Sequence, residues 1–210
     1  LVRHGGRVAL LARRREELER VAGEVERAGG SAAVFAVDVA DAARLHDAVT
    51  RAAEWAGGLR LAVVNAGAGL HGAAAAVTGA EVHRVAMVNL VGSIETTRAT
   101  LPHLRRDAPS VLVGVGSLMG LIPVRGGGTY GATKAGFLFY LGALRLELAG
   151  SGVGVGWVCP PAVQTEMFAD VIAAGKLPRL SRWLLPPITP ERVAESVLTV
   201  ARCGGGRRVI

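Results

Sequence analysis

Short apolar runs alternate with longer amphipathic stretches along most of the chain. The apolar runs are rich in Ala, Val and Leu and carry no charge, which is typical of strands buried on both faces of a sheet. They predict strands at residues 8–12, 33–37, 61–64, 111–115 and 153–158, with a last strand beginning at 208–210. The stretches between them have helical spacing and predict helices at residues 16–28, 42–56, 81–101, 129–149 and 190–202.

This alternation predicts an α/β fold. Continuous apolar strands separated by crossover helices favour a doubly wound, Rossmann-like parallel sheet in a three-layer α/β/α arrangement. The chain shows no repeat and no linker, so residues 1–210 are predicted to form a single domain. One segment interrupts the rhythm, because residues 166–187 are apolar and broken by prolines. A long loop in a compact domain is often functional, so this segment is interpreted as a lid over the substrate.

Composition narrows the class of protein. Half of the residues are hydrophobic and 20% are charged, which excludes disorder. The net charge is +7, but 22 of the 24 basic residues are arginines scattered along the chain, so the favoured interpretation is a solvated surface. With so few aromatics, at 4% of residues, nucleic-acid binding is not expected.

The same composition limits where the chain is expected to work. The longest stretch free of Asp, Glu, Lys and Arg is 61–80, and it contains Asn65, His71 and several glycines, so no transmembrane segment is predicted. Cys159 and Cys203 lie far apart, which favours a reducing, cytoplasmic compartment and indicates neither a disulfide framework nor a metal site.

Small and polar residues follow each predicted strand. Ligands of open parallel sheets bind beyond the carboxyl ends of the strands, so these residues are candidates for one cleft. In chain order they are Arg13, Asp38 with Val39, Asn65 with Ala66 and Gly67, Ser117, and Cys159 with Pro160.

The pair Tyr130 and Lys134 carries the most specific chemistry. On a helix, positions i and i+4 share a face, so the phenol and the ammonium would project into the same space. A nearby cation lowers the pKa of a phenol and makes it a usable general acid or base. Ser117 lies 13 residues upstream, where its hydroxyl could hold a substrate oxygen. Taken alone, this spacing more often belongs to an ordinary exposed lysine and a half-buried tyrosine, but the chain has only two tyrosines and two lysines, and one of each falls at this spacing.

At this point the chain resembles the short-chain dehydrogenase/reductase family. The resemblance lies in motifs that occur in the family's order and spacing, namely Asn65-Ala66-Gly67, Val88-Asn89-Leu90, Ser117, Tyr130-xxx-Lys134 and the segment from Pro160 to Thr165. It implies an NAD(P)-dependent oxidoreductase that interconverts an alcohol and a carbonyl.

The resemblance also implies roles for individual residues. Tyr130 would exchange the proton, Lys134 would lower the pKa of Tyr130 and hold the nicotinamide ribose, Ser117 would bind the substrate oxygen, and Asn89 would anchor a proton relay. Cofactor contacts would further come from Asp38, Val39, Asn65, Ala66, Gly67, Pro160, Val163 and Thr165. A small, apolar substrate would be lined by Ser117, Leu118, Met119, Phe168 and Trp183.

Arg13 bears on the choice of cofactor. The segment after the first predicted strand contains Arg13 and Arg14 and no acid before Glu16. An arginine fork suits the 2′-phosphate of NADP, whereas an acid suits the 2′-hydroxyl of NAD, so NADP(H) is favoured. The alternative is a basic helix start at the surface.

Three expectations concern the ends of the chain and its assembly. The family's glycine-rich strand-turn-helix is expected before Leu1, which would leave a gap at the centre of the sheet, and the last strand is expected to be incomplete at Ile210. These departures motivate an alternative function, a catalytically silent relative that acts as an interaction partner. The resemblance implies pairing through the long helices at 81–101 and 129–149, the second of which carries surplus apolar residues, and a homodimer or homotetramer is expected.

Overall fold

The computed structural model of the chain describes residues 6–173 and 187–210. The strands are β1 (Arg7–Ala12), β2 (Ser31–Ala36), β3 (Leu61–Val64), β4 (Ser110–Val115), β5 (Val153–Cys159) and β6 (Gly206–Val209). The α-helices are α1 (Arg15–Arg27), α2 (Ala42–Ala56), α3 (Gly79–Ala86), α4 (Gly92–Arg106), α5 (Gly128–Glu147), α6 (Glu166–Ala173) and α7 (Pro190–Arg202). A π-helical segment, Met87–Val91, joins α3 to α4, and a 3₁₀ turn, Leu118–Gly120, follows β4.

The strands form two parallel sheets in the described part of the chain. One has the order β1-β2 and the other the order β3-β4-β5-β6. The strand expected before Leu1, between these two sheets, stays a prediction. The last strand begins at Gly206, earlier than predicted, and pairs with β5 from Gly156↔Gly206 to Cys159↔Val209. The expectation of an incomplete last strand stays a prediction.

Helices cover both faces of the larger sheet, which confirms the Rossmann-like three-layer prediction. On one face, Phe137 and Leu141 of α5 pack with Leu112 of β4. On the other face, Val197 of α7 packs with Val113, the next residue of β4. Adjacent strand residues point to opposite faces, so both faces of β4 are buried, and this explains the uninterrupted apolar run in its sequence.

The smaller sheet is anchored through helices. Leu45 and Val49 of α2 pack with Val37 beyond β2 and with Ala99 of α4. Since α4 also contributes Leu104 to the core of the larger sheet, α4 connects the two parts of the fold. In the described residues, no helix is long and apolar enough to span a bilayer.

Two helical predictions need correction. The predicted helix at 81–101 is a composite of α3, the π-helical segment and α4, because the apolar periodicity continues through the π-helical segment without a breaking residue. The predicted loop at 166–187 begins with helix α6, whose first residue is Glu166 and whose Phe168 and Ala169 N–H groups donate to the carbonyl of Thr165. The remainder of that segment, 174–186, lies outside the described residues.

Candidate active site

Ser117 and Tyr130 meet at the carboxyl end of β4. Ser117 caps the 3₁₀ turn, since its Oγ accepts a hydrogen bond from the main-chain N–H of Met119 at 3.2 Å. Tyr130 lies in the first turn of α5 and forms a hydrogen bond with the Ser117 side chain. Ser117 is 7% exposed and Tyr130 is half-buried, so both hydroxyls sit at the edge of the core.

Two glycines allow the 3₁₀ turn to lie directly against α5. A Cβ atom at Gly131 would lie 2.6 Å from the carbonyl oxygen of Met119. A Cβ atom at Gly120 would lie 3.0 Å from the main-chain carbonyl carbon of Lys134. Backbone approaches this close require glycine, so these residues fix the distance between Ser117 and Tyr130.

The pKa of Tyr130 differs from the expectation. Burial raises this pKa above its ordinary value, and the hydrogen bond with Ser117 lowers it in part. The sequence predicted a lowered pKa through Lys134. That prediction is wrong for this structure, because desolvation of the phenolate is the largest effect on Tyr130.

Lys134 is almost fully buried, with 4% of the residue exposed. Its Nζ donates a hydrogen bond to the main-chain carbonyl of Val115 at 3.0 Å. Burial lowers the pKa of Lys134 to about 8, and the charge of nearby Cys159 opposes this shift. The ammonium is still the main form near pH 7, so Lys134 holds a positive charge inside the protein, beside the Val115 carbonyl.

Asn89 ties the π-helical segment to the loop after β3. Its Oδ1 accepts from the N–H of Ala68 at 2.7 Å, and its Nδ2 donates to the Ala68 carbonyl at 2.9 Å and to Thr133 Oγ1 at 3.2 Å. Both amide hydrogens are therefore used. A Cβ atom at Gly67 would lie 3.5 Å from Lys134 Nζ and 3.6 Å from Asn89 Oδ1, so the turn, α5 and the π-helical segment converge here.

The residues predicted for the adenosine side lie at the ends of the first three strands. Arg13 Nη1 is 3.8 Å from Asp38 Oδ2, and both side chains are exposed. Asp38 Oδ1 also accepts the main-chain N–H of Ala40.

The other residues predicted for the adenosine side differ in exposure. Asn65 is exposed. Val39 is buried and packs on Gly92, so only the main chain of Val39 is available to a ligand. Ala66 packs beside the core of the smaller sheet.

The segment after β5 runs beside Ser117. The carbonyl of Pro160 accepts the N–H of Leu118 at 2.9 Å. Val163 forms an isolated parallel bridge with Ile188. Thr165 Oγ1 donates to the carbonyl of Val163 at 3.3 Å. The order of these residues around the cleft follows the motifs that suggested them.

Three of the residues predicted to line the substrate can be placed only by their burial. Leu118, Met119 and Phe168 are half-buried, as a lining role would require. Trp183 lies outside the described residues, so its predicted role is not placed.

Helix α6 also contacts the cofactor side of the cleft. Arg14 Nη1 pairs with Glu166 Oε2 at 3.0 Å, across 152 positions of the chain. Met167 packs over Gly69, where an added Cβ would lie 2.8 Å from its Cγ. Sequence reasoning did not find these contacts, because nothing in the spacing relates α6 to the start of α1. It also missed Thr133, whose place three residues after Tyr130 on α5 was the available signal.

Comparison with known proteins decides the family. The profile of the short chain dehydrogenase family matches residues 1–175. The chain belongs to the short-chain dehydrogenase family. As the sequence predicted, it is therefore a member of an oxidoreductase class that acts on alcohols and carbonyls.

Relatives of this short-chain dehydrogenase include both curated proteins and solved structures. The ketoacyl reductase HetN of Nostoc is 32% identical over 200 residues, which cover 94% of this chain and 67% of HetN. A short chain dehydrogenase from Burkholderia cenocepacia in complex with NADP is 27% identical, with a TM-score of 0.88 over 100% of this chain and 88% of that one. A 3-ketoacyl-(acyl-carrier-protein) reductase from Brucella melitensis complexed with NADH is 26% identical, with a TM-score of 0.87 over 98% and 87% of the two chains.

These relatives support a nicotinamide cofactor for the short-chain dehydrogenase, and its own residues fit one. Gly67 leaves open a cradle beside Lys134 Nζ and Asn89 Oδ1 that any side chain would fill. The ammonium of Lys134 in such a cradle suits ribose hydroxyls. In the described residues, no group of three or more His, Cys, Asp or Glu side chains could hold a metal ion.

Proposed function

We propose that this short-chain dehydrogenase is an NADP(H)-dependent enzyme that interconverts an alcohol and a carbonyl on a small, apolar substrate. The observation that carries the proposal is the hydrogen bond between Ser117 and Tyr130, with Lys134 buried four residues further along the same helix. Two hydroxyls that share one edge can both reach a single substrate oxygen. A bound nicotinamide cofactor would supply or take up the hydride.

Tyr130 is proposed as the general acid and base. Because burial raises its pKa, the phenol holds its proton at neutral pH and is prepared to donate it to the oxygen of a carbonyl substrate. Ser117 would donate a hydrogen bond to the same oxygen while negative charge develops there. In the reverse direction, the tyrosinate would accept the proton of an alcohol, so oxidation is favoured by higher pH.

Lys134 and Asn89 are proposed to support the site. Lys134 supplies a positive charge, and Asn89 holds neighbouring main-chain groups in position. The ammonium of Lys134 uses one hydrogen on Val115, which leaves two for the ribose hydroxyls of a cofactor. Asn89 acts as a positioning residue, because both hydrogens of its amide are committed to Ala68 and Thr133. The proton relay through Asn89 stays a prediction.

The test of the chemistry is Tyr130→Phe, with Tyr140→Phe as the matched control. The chain has two tyrosines, and Tyr140 lies on the same helix, α5, away from Ser117. We expect Y130F to lose turnover and to keep NADPH binding, and Y140F to keep both. Carbonyl reduction by Y130F at the rate of Y140F would contradict the proposed role.

Preference for NADP(H) is proposed from Arg13. Its pair with Asp38 is exposed and 3.8 Å long, and such pairs contribute about 0–1 kcal/mol, so Arg13 can turn from Asp38 to a phosphate at little cost. In R13A, the Kd for NADPH should rise at least tenfold, while the Kd for NADH stays within twofold. The control is R27A, which removes an arginine at the far end of α1. Equal Kd values of NADPH for R13A and R27A would contradict the preference.

The substrate class is proposed from the lining and from the relatives. Leu118, Met119 and Phe168 offer an apolar approach to the hydroxyl pair. Because two of the relatives are named ketoacyl reductases, β-ketoacyl thioesters and apolar ketones are the first substrates to screen. NADPH consumption with charged, hydrophilic carbonyls in preference to these would contradict an apolar substrate.

A second candidate function, a catalytically silent interaction partner, is favoured by the contacts of α6. The Arg14–Glu166 pair and the packing of Met167 on Gly69 cross the cofactor side of the cleft. Titration of the 210-residue chain with NADPH and NADH, followed by nicotinamide fluorescence, separates the two candidates. Tight NADPH binding supports the enzyme, and the absence of binding to either cofactor supports the silent relative.

A homodimer or homotetramer is proposed to form through α5. Phe139 is 82% exposed and Leu146 is 80% exposed, and their spacing of seven residues puts both on one helix face. Light scattering should give a multiple of the 21.6 kDa chain mass, and Phe139→Glu should reduce it to one chain. A wild-type monomer would contradict this proposal.

A cytoplasmic location also stays a proposal, and fractionation of the source cells tests it.

A further inference from the structure

The first turn of α5, which carries Tyr130, is weakly specified by its own sequence. Residues 126, 127, 128 and 131 are all glycines, and glycine is the least favourable helix residue after proline. Gly127 precedes the helix directly and has no side chain that could accept a hydrogen bond from the free main-chain N–H groups of the first turn. The position of Tyr130 must therefore be set by contacts with the rest of the fold.

Thr133 makes such a contact. It lies three residues after Tyr130 on α5 and is 6% exposed. Its Oγ1 donates a hydrogen bond to the main-chain carbonyl of Tyr130 at 2.7 Å. The same Oγ1 accepts a hydrogen bond from Nδ2 of Asn89 at 3.2 Å. One hydroxyl therefore links the main chain of the proposed general acid to a side chain of the π-helical segment.

Asn89 is itself fixed at the other end of its amide. Its side chain is fully buried and forms hydrogen bonds with both main-chain groups of Ala68. Ala68 directly follows the turn Asn65-Ala66-Gly67. A continuous chain of hydrogen bonds therefore runs from this turn, through Asn89 and Thr133, to the main chain of Tyr130.

The place of Thr133 in this chain requires a hydroxyl. A hydroxyl oxygen can donate one hydrogen bond and accept another, and only serine and threonine bring one at this length. Valine has the shape of threonine and can do neither. In the described part of the chain, every buried side-chain nitrogen and oxygen has a hydrogen-bond partner. Loss of the Thr133 hydroxyl would leave a buried amide hydrogen of Asn89 unpaired, which is unfavourable enough to rearrange its surroundings.

We propose that Thr133 is a positioning residue for the reaction, because its hydroxyl ties the main chain of Tyr130 to Asn89 and so keeps the Tyr130 phenol at Ser117. The inference rests on the proposed function, in which Tyr130 exchanges the proton. Without the hydroxyl, the glycine-rich first turn of α5 is released from Asn89, and the phenol moves away from Ser117. A misplacement of about 1 Å can reduce turnover by roughly a hundredfold, so a partial release should lower kcat about tenfold.

Thr133→Val tests the proposal, and Thr133→Ser is the variant that restores the hydroxyl. Thr100→Val is the matched control. Thr100 is 5% exposed on α4, and its Oγ1 donates to the carbonyl of Thr97, three residues earlier, at 2.9 Å. It therefore reproduces the burial of Thr133 and its bond to the preceding turn, on a different helix.

An NMR signal gives a readout that does not depend on activity. The chain has two tyrosines, so in the Y140F background the ¹³Cζ signal of labelled tyrosine belongs to Tyr130 alone. This signal responds to hydrogen bonding of the phenol. S117A in the same background supplies the reference for a lost bond to Ser117.

We expect T133V to move the Tyr130 signal in the same direction as S117A and to lower kcat for carbonyl reduction about tenfold. T133S should keep the signal and kcat close to those of the parent protein, and T100V should keep both. The double variant S117A/T133V should give the signal of S117A, because both changes remove the same bond between the phenol and Ser117.

An unmoved Tyr130 signal or an unchanged kcat in T133V would overturn the proposal. Equal effects of T133V and T133S, or of T133V and T100V, would overturn it as well. Circular dichroism checks the fold of each variant, and Thr133→Ala carries the same test if T133V does not fold. If the parent protein reduces no carbonyl, the proposed function fails, while the NMR signal still shows whether Thr133 positions Tyr130. If the parent protein is active and T133V behaves like T100V, only the role of Thr133 fails.

Discussion

Substitution of Gly131 by alanine probes how the site is held together. The Cβ of the new side chain would lie 2.6 Å from the carbonyl oxygen of Met119, whereas real Cβ atoms keep at least 3.0 Å. The obstacle is backbone, so it cannot rotate away. The 3₁₀ turn must therefore move from α5 by about 0.4 Å or more, and Ser117, which caps that turn, moves with it.

The size of the effect follows from that displacement. A misplacement of about 1 Å can reduce turnover by roughly a hundredfold, so a shift of this size should lower kcat about tenfold. Gly142→Ala is the matched control, because Gly142 lies on the same helix and nothing is within 4 Å of its Cβ position. Both substitutions replace a helical glycine by alanine, which stabilises the helix by about 1 kcal/mol. The difference in stability between the two variants therefore isolates the contact with Met119.

The assay combines steady-state reduction of a ketone by NADPH with urea unfolding. We expect G142A to have wild-type kcat and a higher free energy of unfolding, and G131A to have lower values of both than G142A. If G131A matched G142A in kcat and in stability, the turn would not be positioned by its contact with α5, and the reasoning would be refuted.

Three further predictions concern buried groups. Because the pKa of Lys134 is lowered to about 8, the native state binds fewer protons than the unfolded state between pH 8 and 10.5, so stability should rise with pH in that window, by on the order of 3 kcal/mol. Ser117→Ala removes a bond that lowers the pKa of Tyr130, so the rising limb of the pH profile for alcohol oxidation should move to higher pH. Asn89→Leu leaves both main-chain groups of Ala68 unpaired and should cost about 2–4 kcal/mol in urea unfolding.

Each of these predictions has a defined contrary result. Lys134→Met has no titrating amine, so an equal rise of its stability with pH would exclude Lys134 as the cause. An unmoved pH profile in S117A would show that the hydrogen bond does not tune Tyr130. For Asn89, the control is Thr133→Val, which removes one partner of the amide. If N89L were no less stable than T133V, the bonds to Ala68 would not matter.

Local signals in the sequence predicted several elements with their bounds. Helix α2 matches the prediction because Asp41 caps its start by accepting the N–H of Arg44, and Gly57 ends it in a left-handed conformation with φ of 73°. Helix α7 matches because Pro190 occupies its first position. The candidate site was also predictable, since Ser117 follows a strand and the Tyr130–Lys134 spacing fixes one helix face.

Other features depend on tertiary distances that no local pattern contains. The burial that raises the pKa of Tyr130 comes from packing around the site, whereas the spacing showed only that a lysine was near. The π-helical segment around Asn89 lies inside a continuous apolar periodicity and contains no helix-breaking residue, so the sequence pattern does not reveal it.

The division of the strands into two sheets has a consequence for handling the protein. In the described residues, β1 pairs only with β2 and β3 only with β4, so each has one edge with unpaired main-chain groups. Natural sheets protect such edges with charges or prolines, but β3 has neither, and Val63 within it is 41% exposed. Concentrated or warmed solutions of the 210-residue chain by itself should therefore form β-rich aggregates from these edges, separately from any assembly through α5, and a single charge at Val63 should delay them.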